Sequence, residues 1–293
     1  MKHILCTSLL CALLLTGCNQ VTIPEMNIGG FNTKHLQTAV NVGTKIHNAA
    51  EDITPEQEYY LGRSVAASVL GKYMLYTSKD LNAYVNTVGQ LLVLNSKQPE
   101  TFNGYHFALI NSDEINAFAT PSGFIFISRG ILKMCANEDE LAAVLAHEIA
   151  HVQLQHGINS IKDSRWTSVA TLLGTEAVKH YGAKELATLT QSFEGSINDI
   201  INTMVVNGYS REYELAADAY AIDIIRQTGY VDTAIVHMLQ KMNTALQEDT
   251  RGFGSTHPKA TQRIEAIMPL LKPSNTEITP SRTSRFQRLL KNG

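Results

Sequence analysis

The stretch Leu141-Ala-Ala-Val-Leu-Ala-His147-Glu148-Ile149-Ala150-His151-Val152 decides how this chain is to be read. Every residue in it is apolar except His147, Glu148 and His151, so a helix over it is greasy on nearly all sides and belongs inside a protein. Two imidazoles four residues apart share one helical face and can grip a single zinc ion, with Glu148 placed to reach a water on the metal. Three polar side chains in an apolar interior are costly unless each finds a partner. Neutral imidazoles coordinating an ion at about 2.0–2.1 Å resolve that cost. Upstream, Asn137 suits an N-cap with Glu140 three residues on, and Glu138, Asp139 and Glu140 put negative charge in the first turn, where the helix dipole favours it. The alternative is a buried histidine pair without metal.

Zinc used for catalysis takes three protein ligands and leaves a position for water, so a third donor must come from elsewhere. In the extended pattern H-E-x-x-H-x-x-G-x-x-H the glycine would fall at Leu154 and the last histidine at Gly157, and His156 is at the wrong spacing. A glutamate from a second helix is the remaining common solution. The run Ser210-Arg-Glu-Tyr-Glu214-Leu-Ala-Ala-Asp218 supplies one, with Ser210 as N-cap and Gly229 as a stop. Glu214 and Asp218 stand four apart on one face, Glu214 to bind the metal and Asp218 to accept a hydrogen bond from a ligand histidine. Ala216, Ala217, Ala219 and Ala221 let this helix approach the first closely. Glu176 competes as ligand, but no carboxylate follows it at helical spacing.

Three segments carry a wider likeness: Asn116-Ala-Phe-Ala-Thr-Pro-Ser-Gly-Phe-Ile-Phe-Ile-Ser-Arg-Gly130, Glu140 to His151, and Glu214 to Asp218. Thr256-His257-Pro258 through Arg263-Ile264 is a weaker fourth. In their order and spacing the chain resembles the zinc metallopeptidase family numbered forty-eight, which includes HtpX and the CAAX prenyl endopeptidases. The resemblance implies an α+β fold: a mostly helical, zincin-like metallopeptidase domain with a small β-sheet beside the H-E-x-x-H helix. It implies His147, His151 and Glu214 as ligands of one Zn2+ per chain, Glu148 as catalytic base and Asp218 as the acceptor behind a ligand histidine. His257 is implied either to steady the transition state or to plug the fourth zinc position; otherwise His-Pro is simply a turn. Arg263 either pairs with a carboxylate near the site or is exposed. Ser122 departs from the family, which often has a second glycine there. Within the family the likeness is to soluble periplasmic lipoproteins of the LoiP and BepA kind. Few residues follow Leu271, against about 34 for one tetratricopeptide repeat, so the LoiP kind, without a repeat tail, is the expectation.

Residues 1–18 read as an export segment: Lys2 and His3, an apolar run from Leu9 to Leu15, then Leu15-Thr16-Gly17-Cys18. The last four residues resemble a bacterial lipobox, implying cleavage before Cys18, lipidation of that cysteine and a lipid anchor. Asn19 after it resembles the signal for the outer membrane, so the implied location is the bacterial periplasm. The alternative is an ordinary secretory peptide cut elsewhere. Cys135 is then the single thiol left in the mature chain, no disulfide framework is possible, and stability must come from a hydrophobic core. With 24 basic and 27 acidic residues the charge is near neutral, which gives no electrostatic case for nucleic acid.

Four stretches follow along the chain: 1–18 the signal, 19–53 a flexible polar tether, 54–271 the metallopeptidase domain, and 272–293 a polar, basic tail that either touches anionic lipid or, the preferred reading, is a frayed end. Thr54-Pro55-Glu56-Gln57 is a capping box with proline at N1, opening a helix through about Leu70. A second helix near 79–95 has Leu81, Tyr84, Val85, Val88, Leu91 and Leu92 at core spacing. Residues 104–111 and 123–128 read as strands. Gly123, Phe124, Ile125, Phe126 and Ile127 are candidates for an edge strand on which an extended peptide is laid, or else an ordinary sheet strand. Between the two ligand helices, patches near 166–180, 184–193 and 196–206 form either a lid or extra packed helices. Helices near 231–247 and 258–271 close the domain.

The expected function is a zinc-dependent metalloendopeptidase acting on unfolded or extended polypeptides of the bacterial envelope, with envelope proteins as further partners. The rival is a lipoprotein chaperone or outer-membrane assembly factor whose metal is a structural pin or a latch.

Overall fold

The computed structural model describes residues 27–28, 31–32, 53–161, 194–248, 257, 260–271 and 278–292. Cys18 and its lipobox, Glu176 and the patches at 166–180 and 184–193 lie outside the described residues. Within the expected tether, β1 (Asn27–Ile28) pairs antiparallel with β2 (Phe31–Asn32). This hairpin belongs to a unit of its own, Met1–Glu51, separate from Asp52–Gly293.

The larger unit opens with α1 (Pro55–Leu70). Its capping box is complete: the Gln57 amide donates to Thr54 Oγ1 at 3.2 Å and the Thr54 amide to Gln57 Oε1 at 2.9 Å. Next comes α2 (Lys79–Leu94), capped by Ser78. It buries Leu81, Tyr84, Val85, Val88 and Leu92, while Leu91, expected inside, is 42% exposed. One residue is about 100° of helix rotation, so Leu91 stands off the stripe that Leu92 joins.

Three strands form one sheet in the order β3 (His106–Ile110), β5 (Phe124–Ser128), β4 (Ala117–Thr120). β5 pairs parallel with β3 and antiparallel with β4. The reading of Gly123–Ile127 as an edge strand is therefore corrected: β5 is central, and both its ladders are occupied. Its unbroken Phe-Ile-Phe-Ile run suits a strand buried on both faces. Between β4 and β5, Ser122 adopts φ 61°, the left-handed region, which explains why a glycine suits that position. The Ser122 amide is held by Glu58 Oε1 at 2.9 Å.

The two outer strands differ in what they offer. The outer ladder of β3 is taken by amide side chains of α2 four residues apart. Asn82 Oδ1 accepts from the Leu109 amide, Asn86 bonds both N–H and C=O of Phe107, and Gln90 Nε2 donates to the Tyr105 carbonyl. Among the described residues no such row of side-chain bonds lies along β4, which is buried and packs against the metal-motif helix.

After β5 come α3 (Arg129–Met134), α4 (Glu138–Gln153) and α5 (His156–Asn159). Asn137 caps α4 as expected, accepting from the Glu140 amide at 2.9 Å. The Glu140 carboxylate instead takes the Ala136 amide at 2.8 Å and Lys241 at 2.6 Å. The whole of α4 is buried. α6 (Glu194–Ile201) runs into a π-helical turn, Asn202–Asn207. Its Ile197, Ile200 and Ile201, with Met204, join Leu61, Val65, Phe118 and Phe126 in a second apolar cluster. This described end of the inter-helix segment is packed core. α7 (Arg211–Thr228) lies along α4, capped by Ser210 and stopped by Gly229 at φ 80°, both as expected. α8 (Ala234–Glu248) and α9 (Ala260–Ile267) close around it.

The tail is corrected too. Residues 280–292 form α10 (Pro280–Asn292), whose Phe286 is 1% exposed in the main core. Arg285 binds both oxygens of Glu138 at 2.7–2.8 Å, and Arg282 reaches Asp139 at 3.0 Å. The acids at the start of α4 thus neutralise the tail's arginines as well as the helix dipole. No described helix is long and apolar enough to cross a membrane.

Candidate metal centre

α4 and α7 bring the two halves of the site together. His147 and His151 point from α4 towards Glu214 on α7, and all three are buried. The His147 and His151 Nε2 atoms are 3.0 Å apart. Glu214 Oε2 is 3.5 Å from His147 Nε2, and its Oε1 is 3.4 Å from His151 Nε2. Donors on one tetrahedral ion at about 2.0–2.1 Å are separated by about 3.3 Å, so these spacings are those of a shared cation. Two further observations agree. Glu214 Oε1 and Glu148 Oε1 are buried with no hydrogen-bond partner, a cost that a cation and the water it carries would relieve. Neutral imidazole nitrogens and a carboxylate are also the donor set that zinc prefers.

Supporting groups stand behind the ligands. His147 Nδ1 is 3.0 Å from Asp218 Oδ1, which fixes the ring with Nε2 towards the centre. Asp218 is gripped in turn by Arg263, whose Nε and Nη2 donate at 2.7 and 2.6 Å, while Nη1 lies 3.0 Å from Glu214 Oε2. Arg263 is 1% exposed. Of its two expectations, pairing is the one found.

The electrostatics show a pocket that wants positive charge. Burial and Arg263 both oppose a proton on His147, yet Asp218 and Glu214 outweigh them and push its pKa up to about 9. Burial raises Asp218, but Arg263 and His147 hold it down at about 2. Glu214 is likewise held well below the carboxylate range against burial, by His257 and Arg263 first. Burial pushes Glu148 up to about 7, the range of a proton acceptor that can also return its proton. His257 is lowered by burial to about 4. Its Nδ1 lies 2.7 Å from Glu214 Oε2, and His147, His151, Glu214 and His257 each offer one donor within 4.8 Å of the others.

A profile of Peptidase family M48 matches residues 79–270. The chain belongs to that family. Among relatives of known name, the beta-barrel assembly-enhancing protease of Yersinia pestis is 29% identical over 243 residues, covering 80% of this chain and 46% of its own. The mitochondrial metalloendopeptidase OMA1 of Schizosaccharomyces pombe is 27% identical, covering 74% of this chain and 61% of its own. Metalloprotease YcaL of Escherichia coli is 22% identical, covering 87% and 92%. The chain spans about half the length of the assembly-enhancing proteases it matches.

His147, Glu148, His151, Glu214 and Asp218, expected at one centre, are brought together here. Gly123–Ile127 sit one strand away from the position expected of them. Two residues, Tyr209 and Tyr213, went unread in the sequence, and a third, His156, was set aside on its spacing. His156 packs on His151, Tyr209 stacks on the His151 ring at 4.3 Å, and Tyr213 stacks on His156 at 4.3 Å. The signal for Tyr209 and Tyr213 was available: they flank the Ser210 cap of the ligand helix.

Proposed function

We propose that this chain is a zinc metalloendopeptidase that hydrolyses peptide bonds in extended or misfolded proteins of the bacterial envelope. The observation that carries this reading is the trio of donors at 3.0–3.5 Å with the unpartnered Glu148 Oε1 near it. A zinc ion held by His147, His151 and Glu214 supplies Lewis acidity towards water and towards a carbonyl. Glu148 takes the proton of the attacking water and returns it to the leaving amine, which its raised pKa permits in both directions. Asp218 and Arg263 hold the ligand geometry. We assign an extended substrate to the β4 side of the sheet, because α2 occupies the outer ladder of β3 and β4 lies next to His151. β4 is buried here and the space between Ala119, Thr120, Pro121 and His151 is closed, so that side would have to open to admit a chain. Export, a lipid on Cys18 and an outer-membrane location belong to the same proposal, supported by the Leu15–Cys18 pattern; so do envelope protein partners and kinship with the LoiP kind.

Metal analysis of the purified mature protein tests the centre. Wild type is expected to hold about one zinc per chain, and Glu214→Ala to lose most of it and all casein cleavage. Full retention by Glu214→Ala moves the third ligand elsewhere, and a wild type that holds none overturns the reading.

One observation favours a second reading of the resting state. Catalytic zinc keeps three protein ligands, whereas four make a closed site, and His257 completes a set of four. On this reading His257 latches the enzyme. His257→Ala is expected to raise casein cleavage several-fold while zinc is retained. Zinc retained with no cleavage before or after the substitution supports a structural pin in a chaperone instead.

A further inference from the structure

Each ligand imidazole has a second nitrogen that must be satisfied away from the metal, and its partner sets the tautomer. For His147 that partner is Asp218. For His151 no carboxylate plays the part: its Nδ1 faces Nδ1 of His156 at 2.8 Å.

We propose that His156 is the positioning residue for the ligand His151: as a neutral imidazole, protonated on Nε2, it accepts the His151 Nδ1–H and so presents the His151 Nε2 lone pair to the metal. This rests on the metal reading above and adds to it a residue that spacing excluded. In an uninterrupted helix, residue i+5 lies about 140° round from residue i and cannot meet it. Here α4 ends at Leu154, and Gln155 takes the left-handed conformation with φ 55° and ψ 30°. That reversal swings His156 back beneath His151. A non-glycine residue in that conformation is strained, so the turn is one the surrounding structure must impose.

His156 is also held in one orientation. It is 3% exposed, and its ring stacks face to face on Tyr213, with centroids 4.3 Å apart and planes 4° from parallel. The His151 ring is stacked on Tyr209 at 4.3 Å and 19° and meets His156 nearly edge-on at 70°. Tyr213 precedes the ligand Glu214 on α7. The helix that brings the third ligand thus also clamps the group that aims the second.

Chemistry fixes the direction of the bond. If His156 Nδ1 carried the proton, His151 Nδ1 would be the acceptor and its own proton would sit on Nε2, where it blocks ligation. The tautomer is therefore a direct readout. In zinc-loaded protein labelled with 15N-histidine, long-range proton–nitrogen correlation is expected to show His151 protonated on Nδ1 and His156 on Nε2. A His156 protonated on Nδ1 overturns the proposal. In a second measurement, chelator competition with zinc alone is run on wild type, His156→Phe, which keeps the stack and lacks the acceptor, and His156→Gln, which restores an acceptor. Phe is expected to weaken zinc binding about 10- to 100-fold and Gln to recover most of the loss, with the zinc-free unfolding midpoints close to wild type. Equal affinity in wild type and His156→Phe overturns the role of His156 while leaving the metal centre standing; absence of zinc from the wild type overturns both. Should the Phe substitution fail to fold, the wild-type tautomers still decide.

Discussion

Glu148→Gln is expected to keep its zinc and its fold while losing about 10²–10⁴-fold in casein cleavage, the range that a general base contributes. The amide has the size of the carboxyl, so the packing of α4 is unchanged, and the three donors lie on other residues. What disappears is the capacity to hold a proton between attack and departure of the amine. Stability should not suffer. The carboxylate is buried, has an unpartnered oxygen and lies near Glu214, so a neutral amide removes a desolvation cost. Metal analysis, thermal melting and casein turnover on the same preparation check all three points. Robust cleavage by this variant would remove Glu148 from the chemistry.

Arg263→Leu carries the second large effect, on stability. Its guanidinium touches Asp218 through two donors and Glu214 through a third, wholly out of water. Removing one partner from a buried charge cluster leaves the others uncompensated and costs about 3–5 kcal/mol. Urea unfolding of the zinc-free protein gives the value without interference from the ion. Arg263→Leu combined with Asp218→Asn should cost less than the sum of the two single changes, because each removes the reason the other is harmful. A loss under about 1 kcal/mol would mean that water reaches the pair.

Much of this was legible in the chain itself. A helix that is apolar on every side apart from two histidines and a glutamate has few places to go, and Glu214 with Asp218 at one-turn spacing points at the same centre. Thr54, Ser78, Asn137 and Ser210 cap helices through local bonds between neighbours in sequence, which is why the helix starts could be read. What escaped depends on contacts distant in sequence. Phe124–Ile127 has the composition of a strand, but central or edge is decided by partners, and β4, Ala117–Thr120, has small residues with little strand signal of its own. The unbroken apolar run of Phe124–Ile127 was the hint that neither face of that strand meets water. Arg285 and Phe286 read as a loose end because their partners are remote in sequence: Glu138 lies 147 residues from Arg285, and Tyr84 further still from Phe286. His156 was set aside because it misses the spacing of the extended histidine pattern, which tests for a ligand and not for a group behind one.

The row of amides that Asn82, Asn86 and Gln90 lay across β3 has a consequence for how the molecule meets other chains. Among the described residues that flank is sealed by the chain's own helix, which leaves the β4 side, next to His151, as the other flank of the sheet. The extended substrate proposed for this site would therefore take its place on the β4 side, next to His151, and not on β3.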